Sequence, residues 1–290
     1  MRSDTLKASA LLVISSLVWG LAWPIGRLLA LDLPVMSIAA ARYVLVVVLF
    51  FALLKIFEKK VSIQKSWVKP LTILGLLNAT IYQAFFLFGV RYTSASDASL
   101  IIGISPAVVS ILAVTIGETL TKNRLAGLVL GFTGVAIIAT LSPNTAVLDR
   151  FLGDALIIGA VLSHSLYTVL LKKFMKKTEI SPLRTITWLS FFGLIMMVPF
   201  AAIESPWSYV WSQTAALDII YLAVFSTVVG YLFFVHGVNM IGAGKSAVFV
   251  SLVPVFGLIF SVILLGEQIS HWHLLSFALI FVGVRLASKS

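Results

Sequence analysis

Few side chains in the long apolar stretches of this sequence could bind a polar molecule. Arg42 is the one basic residue well inside such a stretch, and its planar guanidinium can hold a carboxylate by paired hydrogen bonds. Asn78 and Tyr82 are spaced to share one face of a helix, with Gln83 beside them. His164 is the one group in mid-stretch that titrates near neutral pH. These residue types predict binding of a small polar molecule.

Aromatic side chains with polar edges accompany these residues. Trp19 and His164 lie near the middle of their stretches, where flat rings with hydrogen-bonding edges suit an amphipathic ligand. The candidate substrate-binding residues are Trp19, Trp23, Arg42, Asn78, Tyr82, Gln83, His164, Tyr167, Trp188 and Tyr231. Two alternatives remain open: packing of the rings between helices or at a membrane surface, and extension of the Arg42 side chain to that surface.

The acidic residues fall at or near the ends of the apolar stretches. They are Asp97, Glu118, Asp154, Asp218 and Glu267. This distribution argues against exchange of organic cations on a carboxylate in mid-membrane. It also leaves no pair of buried carboxylates for an aspartyl protease, and the His-Glu-x-x-His motif is absent. We therefore predict no catalytic residue, no metal site and no cofactor.

The segment Gly242-Ala243-Gly244-Lys245-Ser246 is similar to the end of a phosphate-binding loop. The full motif requires a glycine where this chain has Asn239, and it also requires a β-strand before the loop. The sequence therefore argues against ATP hydrolysis.

The composition predicts an all-α polytopic membrane protein. Of 290 residues, 60% are hydrophobic and 11% are charged, and the mean hydropathy is +1.08, well outside the range of soluble domains. Ten stretches are long enough to cross a bilayer. They are 8–30, 36–57, 69–90, 95–116, 124–141, 152–171, 182–203, 215–236, 244–265 and 272–288. The absence of cysteine excludes disulfides and thiolate chemistry.

The positive charges indicate an orientation in the membrane. With the N-terminus in the cytoplasm, most of the 21 Lys and Arg residues fall in cytoplasmic loops, as the positive-inside rule requires. We therefore expect both termini in the cytoplasm and the protein in a bacterial inner membrane, in contact with the lipid bilayer. The net charge of +10 is then a topology signal, and no nucleic-acid partner is predicted.

The two halves of the chain share a pattern of residues. Pro106 and the loop Gly117-Glu118 in the first half match Pro254 and Gly266-Glu267 in the second. Because the halves are five spans apart, they would cross the membrane in opposite directions, as in transporters with inverted repeats. We predict repeats at 1–141 and 152–290, surrounding a central cavity, with Pro106 and Pro254 as hinges.

The same residues resemble a known family. The segment Gly89-Val90-Arg91-Tyr92-Thr93, the two mid-span prolines, and the Gly-Glu loops are similar to those of EamA-type transporters of the drug/metabolite transporter (DMT) superfamily. The resemblance covers nearly the whole chain. It implies ten helices around a central cavity and movement of small organic metabolites, often export of amino acids. His164 stands where this family often has Trp.

We therefore expect a secondary transporter of amino acids or related metabolites, working in export by alternating access, and not an enzyme. The alternative is a facilitative uptake or exchange carrier for a vitamin or nucleotide-like solute. A channel is disfavoured because the spans show scattered polar points and no continuous polar stripe. The chain is expected to act as a monomer, with a dimer as the alternative, because Gly127, Gly131 and Gly134 form a face for close helix packing.

Overall fold

The computed structural model describes residues 2–143, 147–242, 246 and 249–288. Within these ranges the regular elements are helical. The helices are α1 (Arg2–Asp32), α2 (Val35–Phe57), α3 (Lys65–Tyr92), α4 (Ala95–Ile116), α5 (Lys122–Leu141), α6 (Arg150–Met175), α7 (Pro182–Ile203), α8 (Gln213–Ile241), α9 (Leu252–Leu265) and α10 (His271–Ser288). A 3-10 turn at Pro206–Ser208 lies between α7 and α8.

Eight helices, α1 to α8, are long and apolar enough to cross a membrane in the part of the chain that the structure describes. The protein is therefore a multi-pass membrane protein. α9 and α10 are apolar but shorter within the described residues. The predicted span 244–265 and the loop Gly242-Ala243-Gly244-Lys245-Ser246 both include residues outside the described ranges.

Short polar side chains begin several of the helices. The side-chain oxygens of Ser94, Thr121, Asp149, Ser181 and Ser212 each accept a hydrogen bond from a backbone N–H in the first turn of α4, α5, α6, α7 and α8. Such caps satisfy donors that have no partner inside the helix. Because the caps lie outside the apolar stretches, α6 and α8 begin before the predicted spans 152–171 and 215–236 and also continue beyond them.

The helices pack in matched pairs. α1 packs against α8 and α9, while α6 packs against α3 and α4. α2 packs against α7, and α5 packs against α10. The α5–α10 contact is a backbone-to-backbone approach, since a Cβ added at Gly127 would lie 2.3 Å from the carbonyl oxygen of Gly283. The glycine face of α5 is thus occupied by a helix of the same chain.

Three helices are interrupted within their apolar stretches. α3 contains a π-helical segment at Leu76–Ile81, and α8 contains one at Tyr221–Val229. α4 is broken after Ile102, and a second helical segment starts at Ser105 with Pro106 in its first turn. Proline is favoured there because its missing N–H would have no intrahelical partner. These interruptions lie next to the residues described below.

Candidate substrate-binding site

Arg42 on α2 lies at the centre of a buried polar cluster, with 6% of its surface exposed. Its Nη1 donates a hydrogen bond to Oε1 of Gln83 on α3 at 3.0 Å. Its Nε and Nη2 donate to Oγ1 of Thr227 on α8 at 3.2 and 2.8 Å. The guanidinium therefore joins three helices, and Gln83, predicted from the sequence, contacts it directly.

The partners of Arg42 are neutral, which sets it apart from the other buried arginines. Arg27 lies 3.6 Å from Glu267, and Arg124 lies 2.9 Å from Glu118. No carboxylate of the described residues lies within ion-pair distance of Arg42. A buried charge with only neutral partners is costly, and an anionic ligand would remove that cost. The arrangement is suited to binding a carboxylate by paired hydrogen bonds.

Aromatic rings from α3 and α6 lie beside this cluster. The Tyr82 ring stacks on Phe86 with centroids 6.2 Å apart and lies 5.6 Å from the His164 ring. The His164 ring is in turn 5.9 Å from the Tyr167 ring. The nitrogens of His164 make no hydrogen bond to any residue in the described ranges, although the side chain is half-buried. The rings and Arg42 thus combine aromatic faces with a fixed cation.

Four of the predicted residues contact other parts of the protein, three of them through hydrogen bonds and Trp23 through a ring contact. Trp19 donates from Nε1 to the carbonyl oxygen of Ser226 at 2.9 Å, and Trp23 packs edge-on against Phe86 with 3% exposure. Trp188 donates to the carbonyl oxygen of Val61 at 2.8 Å, and the Tyr231 hydroxyl donates to that of Pro182 at 3.2 Å. In this conformation, all four side chains therefore take part in contacts between helices or between a helix and a loop.

The remaining predicted residues lie in or beside the helix interruptions. Asn78 is in the π-helical segment of α3 and is half-buried. Pro106 follows the break in α4, and Pro254 is buried in the first turn of α9. A Cβ added at Gly103, in the α4 break, would lie 3.1 Å from the Pro254 ring. The irregular parts of α4 and α9 therefore meet.

Sequence reasoning missed Tyr43, Tyr221 and Thr227. Tyr43 is 3% exposed and interacts with Gln83, while Tyr221 donates from its hydroxyl to the carbonyl oxygen of Val18 at 2.9 Å. Tyr221 and Thr227 in α8 repeat neither the order nor the spacing of Asn78 and Tyr82 in α3, so the repeat provides no signal for this pair. A π-helical turn has no sequence signal either, although such turns are frequent at functional sites.

Carboxylates at the helix ends have structural partners. Glu204 accepts hydrogen bonds from the backbone N–H groups of Met36 and Ser37 at 3.0 and 2.8 Å, at the start of α2. Glu58, at the end of α2, contacts Ser181 and Arg184 at the start of α7. Each carboxylate therefore joins α2 to α7, one at each end of the pair.

Glu118 lies in the loop after α4. It contacts Lys172 at 2.5 Å and Arg124 at 2.9 Å. The hydrogen bond from Lys172, and next the one from Arg124, hold the pKa of the Glu118 carboxyl below its ordinary value of 4.5, against the opposing effect of burial. Within the described ranges, His, Asp and Glu residues form no group of three or more that could hold a metal ion.

Comparison with known proteins assigns the chain to a family. A sequence model of the EamA-like transporter family matches residues 6–140 and, separately, residues 151–289. The chain belongs to the EamA-like transporter family. The resemblance predicted from the sequence motifs is thereby confirmed, and the members of this family are transporters.

Curated relatives of this EamA-like chain include named transporters. It is 28% identical over 287 residues to the uncharacterized transporter YetK of Bacillus subtilis (strain 168), covering 97% of this chain and 84% of the relative. It is 27% identical over 290 residues to a probable amino-acid metabolite efflux pump of Escherichia coli (strain K12), covering 95% and 92%. A solved crystal structure with 17% sequence identity superimposes with a TM-score of 0.68, covering 97% of this chain and 96% of that one, and it supports the fold.

Proposed function

We propose that this protein exports small metabolites that carry a carboxylate, amino acids first among them, by alternating access. The observation that carries the proposal is Arg42, a buried guanidinium whose partners Gln83 and Thr227 are neutral. A substrate carboxylate would supply the missing charge. The rings of Tyr82 and His164 would contact the rest of the substrate, and an aromatic face also attracts an ammonium group.

The proposed architecture is ten membrane spans in two inverted repeats, 1–141 and 152–290, with a substrate cavity between them. The two separate matches to the family model support this division. So do the π-helical segments in α3 and α8 and the matched packing of α1 and α6. In this arrangement, the breaks at Pro106 and Pro254 would act as hinges when the cavity changes sides.

The proposed location is a bacterial inner membrane, with both termini in the cytoplasm. In this orientation the ends carrying Asp32, Thr93 and Glu267 face away from the cytoplasm. We further propose that the chain works as a monomer and has no catalytic role. The packing of the α5 glycine face against α10 of the same chain supports the monomer, because it leaves that face unavailable to a second subunit.

A thermal-shift screen of the purified protein tests the substrate class. The ligands are amino acids, the matching amino-acid amides that lack the carboxylate, vitamins and nucleosides. We expect an amino acid to raise the melting temperature and its amide to have little effect. Arg42→Ala should abolish the shift, since a charged hydrogen-bonded contact contributes about 1.5–3 kcal/mol. The matched control is Arg285→Ala, which removes an exposed arginine of α10.

Two results would contradict this assignment. One is an equal shift with the amide and the amino acid, and the other is an undiminished shift in Arg42→Ala. Stabilisation by a vitamin or nucleoside alone would instead favour an uptake or exchange carrier for such a solute. In proteoliposomes, saturable flux that is accelerated by substrate on the opposite side would distinguish a carrier from a channel.

A further inference from the structure

A buried ionic cluster lies at the end of the molecule where α3 meets α4. We define the ionic cluster as Arg27, Asp97, Arg150, Asp154, Glu267 and His273. Glu267 accepts hydrogen bonds from the backbone N–H groups of Ala95 and Ser96, both at 2.8 Å. Arg27 donates to the carbonyl oxygens of Val90 and Thr93. The cluster therefore holds α1, α3, α4, α6 and α10 and the loop after α9 together.

Asp97 lies at the centre of the cluster with no exposed surface. Its Oδ1 accepts a hydrogen bond from Ser142 at 2.9 Å and lies 3.1 Å from Nε2 of His273, while Oδ2 lies 3.8 Å from Nε of Arg150. Nδ1 of His273 accepts a hydrogen bond from the backbone N–H of Ser270 at 3.1 Å. Nδ1 therefore acts as an acceptor, while Nε2 faces the Asp97 carboxylate.

Asp154 has fewer partners than Asp97. It is 3% exposed, and its Oδ1 accepts a hydrogen bond from Thr93 at 2.7 Å. Its Oδ2 is buried and accepts no hydrogen bond from any residue that the structure describes. Arg150 lies one turn earlier on the same face of α6 and is shared with Asp97.

The charges around Asp154 do not balance. Asp97, Asp154 and Glu267 are three carboxylates, whereas the cluster has two guanidinium groups, those of Arg27 and Arg150. At this end, the other titratable or charged residues of the described parts of these elements are Asp32 on α1, Arg91 and Tyr92 on α3, Asp149 before α6, and His271 on α10, and each is at least partly exposed. Water and salt screen exposed groups, so they do not neutralise the imbalance in the buried cluster.

A proton removes this imbalance. An ionised carboxylate that is buried with a single hydrogen bond is costly, whereas its protonated form loses little on burial. If the helices separated, water would hydrate Asp154 and favour ionisation. Closing this end of the molecule is therefore coupled to the uptake of one proton.

We propose that Asp154 is a proton-binding site that is occupied when α3, α4 and α6 are closed together, so that acid on this side holds this end of the transporter shut. The proposal rests on the proposed function in one respect, since only alternating access requires this end to open. It adds a ligand, the proton, to a site remote from the substrate cluster around Arg42.

Cysteine labelling can follow this opening, because the chain contains no cysteine of its own. Ser99→Cys places a thiol on the buried face of α4, where Ser99 has no exposed surface and contacts Gly257 of α9. The protein is reconstituted in proteoliposomes, and a membrane-impermeant maleimide is added on the side of the ionic cluster between pH 5.5 and pH 8. A second protein with Ser208→Cys, at an exposed position, corrects for the pH dependence of the thiol itself.

We expect the corrected labelling rate to fall as the pH falls, by up to about tenfold per pH unit because one proton is taken up. Asp154→Asn, which mimics the protonated form, should remain protected at every pH. Thr93→Val removes the one hydrogen bond that favours the ionised carboxylate, so it should move the midpoint to higher pH. The matched control Asp149→Asn keeps a capping side chain and should behave like the parent.

Several results would overturn the proposal. One is an unchanged pH dependence in Asp154→Asn, and another is a midpoint that does not move in Thr93→Val. Protection of Ser99→Cys at every pH in the parent would contradict opening at this end. The labelling needs no substrate, so these outcomes are separate from a failure of the amino-acid assay.

Discussion

The buried polar residues of this protein differ in how their charges are compensated. Arg27 and Arg124 have carboxylate partners, and Glu204 accepts hydrogen bonds from the N–H groups at the start of α2. Arg42 has only the oxygens of Gln83 and Thr227. Ion pairs and caps at helix ends stabilise the fold, whereas the charge of Arg42 has no such partner. This contrast supports the proposal that Arg42 binds a substrate anion.

Glu118 offers a test of the electrostatics at residue scale. Because its pKa is lowered in the folded protein, its ion pairs stabilise the fold above the ordinary pKa of 4.5, and this stabilisation is lost as the pH falls through the lowered value. Glu118→Gln should lower the free energy of unfolding at pH 7 by about 0–1 kcal/mol, and the melting temperature slightly, because the pair is partly exposed. The difference between the two proteins should shrink below pH 4.5 in thermal unfolding curves. A difference that grows on acidification would contradict the assignment.

At the scale of elements, the protein combines close contacts between regular helices with helices that are interrupted. α5 and α10 approach backbone to backbone through Gly127 and Gly283. α3 and α8 are π-helical beside the Arg42 cluster, and α4 is broken where it meets Pro254 of α9. The regular contacts hold the helices in place, while the interrupted segments present polar groups inside the membrane region. Backbone groups without a hydrogen bond inside their helix are tolerated at that depth where protein or a cavity surrounds them.

The α5–α10 contact predicts a position-specific cost. Gly127→Val should destabilise the protein by about 1–3 kcal/mol, because its Cβ would overlap the Gly283 carbonyl oxygen. The control is Ala126→Val on the exposed face of the same helix, where the added methyl groups meet lipid or detergent. Thermal unfolding in detergent measures the stability of both variants. Equal melting temperatures for the two variants would contradict the close contact.

The sequence predicted regular features better than irregular ones. Hydropathy located α1 to α8 to within a few residues, because a bilayer demands about 20 apolar residues per helix. Helical spacing grouped Asn78 and Tyr82 on one face of α3 with Gln83 beside them, and in the structure Gln83 contacts Arg42. The π-helical segments, and with them Thr227, could not be predicted, since they depend on packing between distant helices. The hydrogen bond from Trp188 to the carbonyl oxygen of Val61 also had no sequence signal, because Val61 lies on a loop far away in sequence.

At the scale of the whole molecule, charge distribution and helix packing support the proposed architecture. The positive residues support the proposed orientation in the membrane, and the matched helix pairs support the proposed division of the chain into two repeats. A carboxylate joins α2 to α7 at each end of the pair, through Glu58 and Glu204. The α2–α7 pair would then stay fixed while the helices around Arg42 rearrange.

The orientation can be tested with reporters. A reporter active only outside the cytoplasm, inserted after Ser142, should be active, whereas the same reporter after Lys60 or at the C-terminus should be silent. The positions after Lys60 and at the C-terminus both lie in or next to segments with an excess of positive charge. Activity at the C-terminus, or silence after Ser142, would contradict the proposed topology.

The neutral surroundings of Arg42 have a kinetic consequence. If Arg42 binds the substrate carboxylate as proposed, an empty carrier passes through its closed intermediate with an uncompensated cation, whereas a loaded carrier crosses with that charge neutralised. The barrier is thus higher for the return of the empty protein than for the movement of the loaded one. One-for-one exchange should then outpace net flux, and the electrostatics of a single arginine would set the ratio between them.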